Sequence, residues 1–159
     1  MNFTIRKAVR EDVPDLLRLI RELALYEKAP DEVTVTEEEL ARDGFGDKPI
    51  FDAIVAETPE RIVGMALYFP VYSTWKGKCI YLDDLIVEES MRGSGIGKAL
   101  LTELMRISKA FGARRLAWQV LDWNEPAIKF YESLGSQLDG TWINCKLTGE
   151  QLHEMELTR

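Results

Sequence analysis

The stretch "VEESMRGSGIGKALL", Val87 to Leu101, sets glycines at 93, 95 and 97 between Arg92 and Lys98. Glycine adopts positive φ without steric cost and leaves the backbone bare, so alternate glycines predict a tight turn or a close approach to a ligand. The apolar residues that follow, Ile96, Leu100, Leu101, Leu104 and Ile107, keep the spacing of a helix with one buried face. The glycines therefore stand where a helix begins, and the apolar run before them, "KCIYLDDLIV", reads as a strand. Unpaired N–H groups and the positive end of the helix dipole make such a junction attractive to an anion. A plain strand-to-helix turn needs one glycine rather than three, so a diphosphate is the natural guest.

Two named phosphate loops fail on spacing. A P-loop needs four residues between its glycines and Ser or Thr after the lysine, but Gly93 and Gly97 enclose three and Ala99 follows Lys98. A dinucleotide fingerprint starting at Gly93 would need glycine where Lys98 stands, and it opens a first βα unit, which this is not.

Outward from the loop, the elements alternate. "FTIRKAV" predicts a strand, and "EDVPDLLRLIRELALYEK" a helix with Asp12 as N-cap, Pro14 in its first turn, and Leu16, Leu19, Ile20 and Leu23 on one face. "TEEELARDGFG" opens on the capping box Thr36/Glu39 and is expected to stop at Gly44. "FDAIVAE", "RIVGMALYFPVYS" and "KCIYLDDLIV" predict three strands, with a turn at Thr58-Pro59-Glu60. After the loop and its helix come a strand "RRLAWQVL", a helix "EPAIKFYESL" ended by Gly135, a strand around "TWINCKL", and a short helix capped by Thr148 and Gln151. This order implies an α/β chain with a mixed sheet and helices packed on it.

At 159 residues, 46% hydrophobic and 30% charged, the chain suits one globular domain spanning 1–159. No apolar run reaches the ~18 residues that cross a membrane, and "MNFTIRKAVRED" lacks a signal-peptide core, so a cytoplasmic location is the default expectation. Cys79 and Cys145 lie in strand-like sequence and are expected as buried, reduced thiols; with His153 as the one histidine, no metal cluster is expected. Residues 27–60 hold eleven acids against three bases, Lys28, Arg42 and Lys48, a net −8 in a chain whose total is −7. The absence of a basic stripe argues against nucleic acid. The acidic segment is either a solvated face or an attraction for a cationic partner.

Asp83 and Asp84 form an acidic pair inside an apolar strand, costly unless solvated, paired or used. Strand alternation would let only one of them face a given cleft. There is no G-x-S-x-G elbow and no histidine expected near either cysteine, which disfavours a covalent acyl-enzyme. Tyr131, flanked by Ile128 and Phe130, reads on helical spacing alone as a packing residue.

The loop Arg92-Gly93-Ser94-Gly95-Ile96-Gly97 resembles the R/Q-x-x-G-x-G/A signature of the GNAT N-acetyltransferase superfamily, and "WNEPAIKFYESLG" resembles its second segment. "ELALYEK", "DGFG", "WKGK", "YLDDLIV" and "WNEPAIKFY" together resemble the narrower diamine (spermidine/spermine) and thialysine acetyltransferase branch, so the likeness covers nearly the whole chain. It implies the GNAT fold, with helices on both faces of a sheet whose two central strands, "KCIYLDDLIV" and "RRLAWQVL", splay apart. The co-substrate it implies is acetyl-CoA: backbone groups of Leu85, Ile86 and Val87 would pair with the pantetheine arm, Arg92, Gly93, Ser94, Gly95, Ile96, Gly97 and Lys98 would hold the diphosphate, and Asn124, Glu125, Pro126 and Ala127 would border the thioester. Tyr131 would donate the proton to the leaving thiolate. Asp83 would be the base, at a place where the branch carries the longer glutamate. Tyr26, Glu27, Ser73, Thr74, Trp75, Asp83 and Asp84 would line the acceptor site.

The expected activity is direct attack by a small cationic amine on acetyl-CoA. Ser73-Thr74 resembles the thialysine members, where polyamine members carry an acidic residue and proline, so a lysine-like amino acid competes with a di- or polyamine. The branch forms homodimers, and Trp75, Trp123 and Trp142 suit either a partner surface or the core. Two rivals remain: a non-catalytic acyl-CoA binding module and a protein acetyltransferase.

Overall fold

The structure is a computed structural model that describes residues 2–155. They group into two compact units, Met1–Gln119 and Val120–Arg159. The first runs β1 (Thr4–Lys7), α1 (Val13–Tyr26), α2 (Glu37–Phe45), β2 (Asp52–Glu57), β3 (Ile62–Ser73), β4 (Gly77–Val87), α3 (Ile96–Phe111) and β5 (Leu116–Ala117). The strands lie in sequence order in one mixed sheet, antiparallel from β1 to β4, with β5 parallel to β4. The mixed α/β sheet expected from the order of elements is therefore present.

Alternation explains how both faces fill. On β2, Ala53 and Val55 join Met65, Ile86, Leu16 and Leu19 in one core under α1. Ile54 and Ala56 point the other way and are equally buried. On that face a Cβ at Gly64 would lie 3.1 Å from Ile96 Cγ2 and 3.2 Å from Leu100 Cδ1, so a bare residue lets α3 sit close to the sheet. A second cluster, Val13, Leu17, Leu40 and Phe51, joins α1 to α2.

Two local expectations change. α2 continues past Gly44 to Phe45, with Gly46 as its C-cap, because Gly44 leaves room for the Phe51 ring rather than ending the helix. Asp12 occupies the N-cap position of α1 but does not cap it through its side chain. Its carboxylate accepts from Arg6 Nη1 (2.7 Å), Arg6 Nη2 (2.9 Å) and the Val9 N–H (2.8 Å), while Arg6 also reaches Glu57 through Nε (2.8 Å). Asp12 is buried, and the Arg6 guanidinium holds its carboxyl below the ordinary aspartate range.

Removing that charge would leave Arg6 paired with Glu57 alone. Asp12→Asn is expected to cost about 2 kcal/mol, the scale of hydrogen bonds to a charged group. Since the folded-state value is the lowered one, this stability is fully present above the unfolded value of 3.8 and is lost as pH falls through the folded value. Urea melts of both proteins at pH 7 and pH 3 check it: the gap is wide at pH 7 and narrower at pH 3.

β5 is two residues long where "RRLAWQVL" suggested a full strand. Its register with β4 is Ile80↔Leu116 and Tyr81↔Ala117, preceded by hydrogen bonds from Arg114 N–H to Lys78 O and from Ile80 N–H to Arg115 O, while β4 runs on to Val87. Beyond Tyr81, β4 is laddered on its β3 side alone among the described residues, which is the splay expected of the central strands.

In the second unit, α4 (Glu125–Ser133) and α5 (Gly149–Glu154) form as expected, α5 with the Thr148/Gln151 capping box. Residues 141–147, expected as a strand, are not in one. No strand lies among the described residues of this unit. Cys145 is accordingly exposed rather than buried, while Cys79 is buried as expected. Trp75, Trp123 and Trp142 are all exposed.

Candidate active site

Where β3 pairs with β4, Leu67 faces Asp84 and Tyr68 faces Leu82, so Asp83 is the extra residue of a β-bulge. A bulge sets two residues of one strand against one of its partner and re-aims their side chains. The alternation that would send Asp83 and Asp84 to opposite faces is thus suspended at the pair itself. Asp84 is half-buried, and its carboxyl is pushed up to about 7, first by desolvation, then by the charges of Asp83 and Glu27. Asp83 is exposed by area, yet the surrounding protein desolvates it enough to raise its carboxyl too. Glu27, which follows α1, is likewise raised by desolvation, and the Tyr81 hydroxyl is raised by burial and by both aspartates. The charges of Asp83 and Glu27 thus both bear on Asp84, which stands at the centre of an acid cluster.

Several other acids of the segment have local duties. Glu37, Glu38 and Glu39 fill the first turn of α2, where the helix dipole favours them, and Glu57 binds Arg6. Of these acids, Glu27 is the one whose charge bears on Asp84.

The glycine run forms the junction expected of it. Gly93 (φ 77°) and Gly95 (φ 87°) are left-handed, and Gly95 is the N-cap of α3. A Cβ at either position would meet no protein atom within 4 Å, so the space beside both is open. Gly95 has no side chain with which to cap α3, which leaves the first-turn N–H groups directed at that space. Ser94 turns its hydroxyl back to the Met91 carbonyl, which holds the loop. Ile96 anchors the helix in the core, Gly97 is partly buried, and Lys98 is exposed. An acidic diphosphate fits this cradle: bare backbone, open volume, a helix N-terminus, and Lys98 and Arg92 at either end.

The open edge of β4 leads to it. Leu85, Ile86 and Val87 lie beyond the last β5 pair, with the Ile86 side chain buried. The Val87 carbonyl accepts from Arg92 Nε (3.2 Å), and the Arg92 guanidinium lies 4.7 Å from the centre of the Tyr26 ring. Arg92, expected to face the phosphates, thus also touches the acceptor-side tyrosine, a contact that nothing in the spacing of the sequence signals.

Ser73, Thr74 and Trp75 are not brought to the cluster within this unit. They form the β3–β4 hairpin tip, where Ser73 Oγ accepts the N–H groups of Trp75 (3.2 Å) and Lys76 (3.1 Å). At about 3.3 Å per residue this tip lies roughly 20 Å along β4 from Asp84. In the second unit, Asn124 caps α4 by accepting the Ala127 N–H (3.4 Å), with Glu125 and Pro126 in the first turn. Tyr131 lies on α4 beside Phe130, ring centres 5.4 Å apart, and is partly buried.

Residues 13–136 match the acetyltransferase (GNAT) family model. The chain is 40% identical to the thialysine N-epsilon-acetyltransferase of Bos taurus over 95% of both chains. It is 38% identical to the human spermidine/spermine N(1)-acetyltransferase-like protein 1, over 96% of this chain and 24% of that one. Among solved structures, an integron cassette protein from V. cholerae superposes with a TM-score of 0.79 at 28% identity, over 97% of each chain. With the family model spanning residues 13–136 and a relative 40% identical over 95% of the chain, the chain belongs to the acetyltransferase (GNAT) family.

Proposed function

We propose that this enzyme acetylates the side-chain amine of a small cationic amino acid, with thialysine the type substrate. The observation that carries the reading is the bulged acid cluster of Glu27, Asp83 and Asp84 at the end of the open β4 edge. Similarity to a thialysine N-epsilon-acetyltransferase over 95% of the chain supports the amino acid over the polyamine, as does the Ser73-Thr74 pair.

Acetyl-CoA supplies an acetyl thioester whose carbonyl carbon takes the amine lone pair as the C–S bond breaks. The protein's task is to bind, orient and move two protons. The first-turn N–H groups of α3 and Lys98 bind the diphosphate, and the backbone of Leu85 to Val87 orients the arm. The acceptor arrives as an ammonium, which the cluster attracts. It must lose a proton before its nitrogen can attack, and the Asp83–Asp84 pair takes it. Tyr131 returns a proton to the thiolate. Holding both reactants in line supplies much of the remaining acceleration.

The deciding experiment is thiol release from acetyl-CoA with a panel of thialysine, lysine, ornithine, spermidine and a lysine-containing peptide at matched ionic strength. The highest kcat/KM is expected for thialysine. A clear preference for spermidine overturns the acceptor, and release with the peptide alone points to a protein acetyltransferase. Tyr131→Phe is expected to keep acetyl-CoA affinity and lose about a hundred- to ten-thousandfold in kcat, the worth of a general acid; full turnover would leave Tyr131 with packing alone.

The hairpin tip bears on the acceptor through a second copy. At roughly 20 Å along the strand from Asp84, Ser73, Thr74 and the exposed Trp75 serve the neighbouring subunit's acceptor in a homodimer. Trp75→Ala and Asp84→Asn should each be nearly inactive, yet refolded together they should recover about a quarter of wild-type activity, because mixed dimers contain one intact site. A mixture no better than the sum of its parts places the tip outside the site.

A further inference from the structure

We propose that Arg92 is a positioning residue for the amine acceptor: by gripping Val87 and the Tyr26 ring together, it fixes the end of α1 and with it Glu27. The inference rests on the acetyltransferase reading of the cluster and goes beyond it. Glu27 stands at a weak place. It follows the last residue of α1, and Lys28 after it takes a left-handed φ of 62° that ends the helix. Leu23 still packs on the core, but the last two residues of the helix have little beneath them, Leu25 being 67% and Tyr26 37% exposed. Helix ends so placed open readily.

Two contacts tie this turn to the entrance of the glycine loop. Glu22 Oε1 accepts the Glu89 N–H at 2.7 Å, one helical turn earlier. Arg92 then lays its guanidinium on Tyr26 at 4.7 Å while its Nε donates to Val87 O at 3.2 Å. A planar guanidinium can stack on a ring and donate in its own plane at once, so one side chain fastens α1 to the end of β4. β4 carries Asp83 and Asp84, and α1 delivers Glu27, so the cluster's two halves are joined here.

The sign of the effect separates this role from simple electrostatics. Deleting a positive charge near an acidic cluster should, by Coulomb's law alone, strengthen binding of a cation. Loss of the clamp should weaken it. With acetyl-CoA saturating, Arg92→Leu is expected to raise the thialysine KM about three- to tenfold, in the range of a cation–π contact plus one hydrogen bond. Arg92→Lys, which keeps a cation over the ring, recovers at least half of that loss. Tyr26→Leu raises the KM as well, and the double variant is no worse than the poorer single one. Amide hydrogen exchange gives a readout independent of turnover: residues 24–28 exchange about tenfold faster in Arg92→Leu, while α3 is unchanged. An amine KM that falls or stays constant, additive losses, or unchanged exchange at 24–28 each overturn the clamp. A wild type that turns over no amine would refute the acetyltransferase reading, and the exchange result would still decide the clamp.

Discussion

Gly95→Val is expected to raise the Kd for acetyl-CoA at least a hundredfold, and Gly95→Asn to forfeit most of the same affinity while folding nearly as well as wild type. The two substitutions separate two reasons for a glycine. Gly95 has φ 87°, where a β-branched side chain is strained by 1–2 kcal/mol or more, so valine disturbs the turn as well as the site. Asparagine tolerates the left-handed region and also serves as an N-cap, so the fold should accept it. A Cβ there meets no protein atom within 4 Å, so nothing in the chain resists the side chain. On the proposed reading, what would resist it is the diphosphate, which needs the backbone N–H groups at hydrogen-bond distance. A hundredfold is about 2.7 kcal/mol, less than the loss of two charge-assisted hydrogen bonds. Calorimetric titration of CoA into both variants, with thermal melts beside it, checks the claim. If Gly95→Asn binds CoA like wild type, the glycine serves only the turn, and the anion site lies elsewhere.

The glycine cradle was legible because its signal is local: alternate bare residues, then helical spacing from Ile96 to Ile107. α1, α2, α3 and the strands from β1 to β4 follow from periodicity and caps in the same way. The acid pair was visible as a cost, two carboxylates in an apolar strand, but its geometry was not. Strict alternation assigns Asp83 and Asp84 to opposite faces, and the bulge that suspends alternation depends on the register with Leu67 and Tyr68, which lie across the β3–β4 hairpin. The cost was itself the hint, since a strand that must place two adjacent carboxylates near each other needs an irregularity there. The Arg92–Tyr26 stack joins residues far apart in sequence through side chains alone, which no spacing rule reports. β5 was overestimated because propensity is a property of the segment, whereas a ladder needs a partner. In "RRLAWQVL" the strand is Leu116–Ala117, preceded by backbone hydrogen bonds of Arg114 and Arg115 with β4, and "TWINCKL" carries strand-forming residues without being in a strand.

The acid cluster makes the second large prediction. Asp84 is raised to about 7 by desolvation and by its neighbours' charges, which sets a proton acceptor where neutral solution can load and unload it. kcat/KM for thialysine should therefore rise with pH through a limb near 7, and rise further as the free amine itself loses its proton. Asp84→Asn should remove that limb and lower kcat by about two to four orders of magnitude, the range for a lost general base. Asp83→Asn and Glu27→Gln should each move the limb to lower pH, because each removes a like charge that holds the Asp84 proton on. Stability should move in the opposite direction to activity. A carboxyl whose folded value lies above its unfolded one is protonated more fully in the native state between the two, so its presence costs progressively more stability from about pH 3.8 to about 7. Asp84→Asn should consequently melt higher than wild type at pH 8, with the difference gone below pH 4. Single-turnover rates and melts across that range test both halves. Full turnover in Asp84→Asn together with a collapsed Asp83→Asn would make Asp83 the base. A limb that stays at the ordinary aspartate position would take the proton transfer away from the pair altogether.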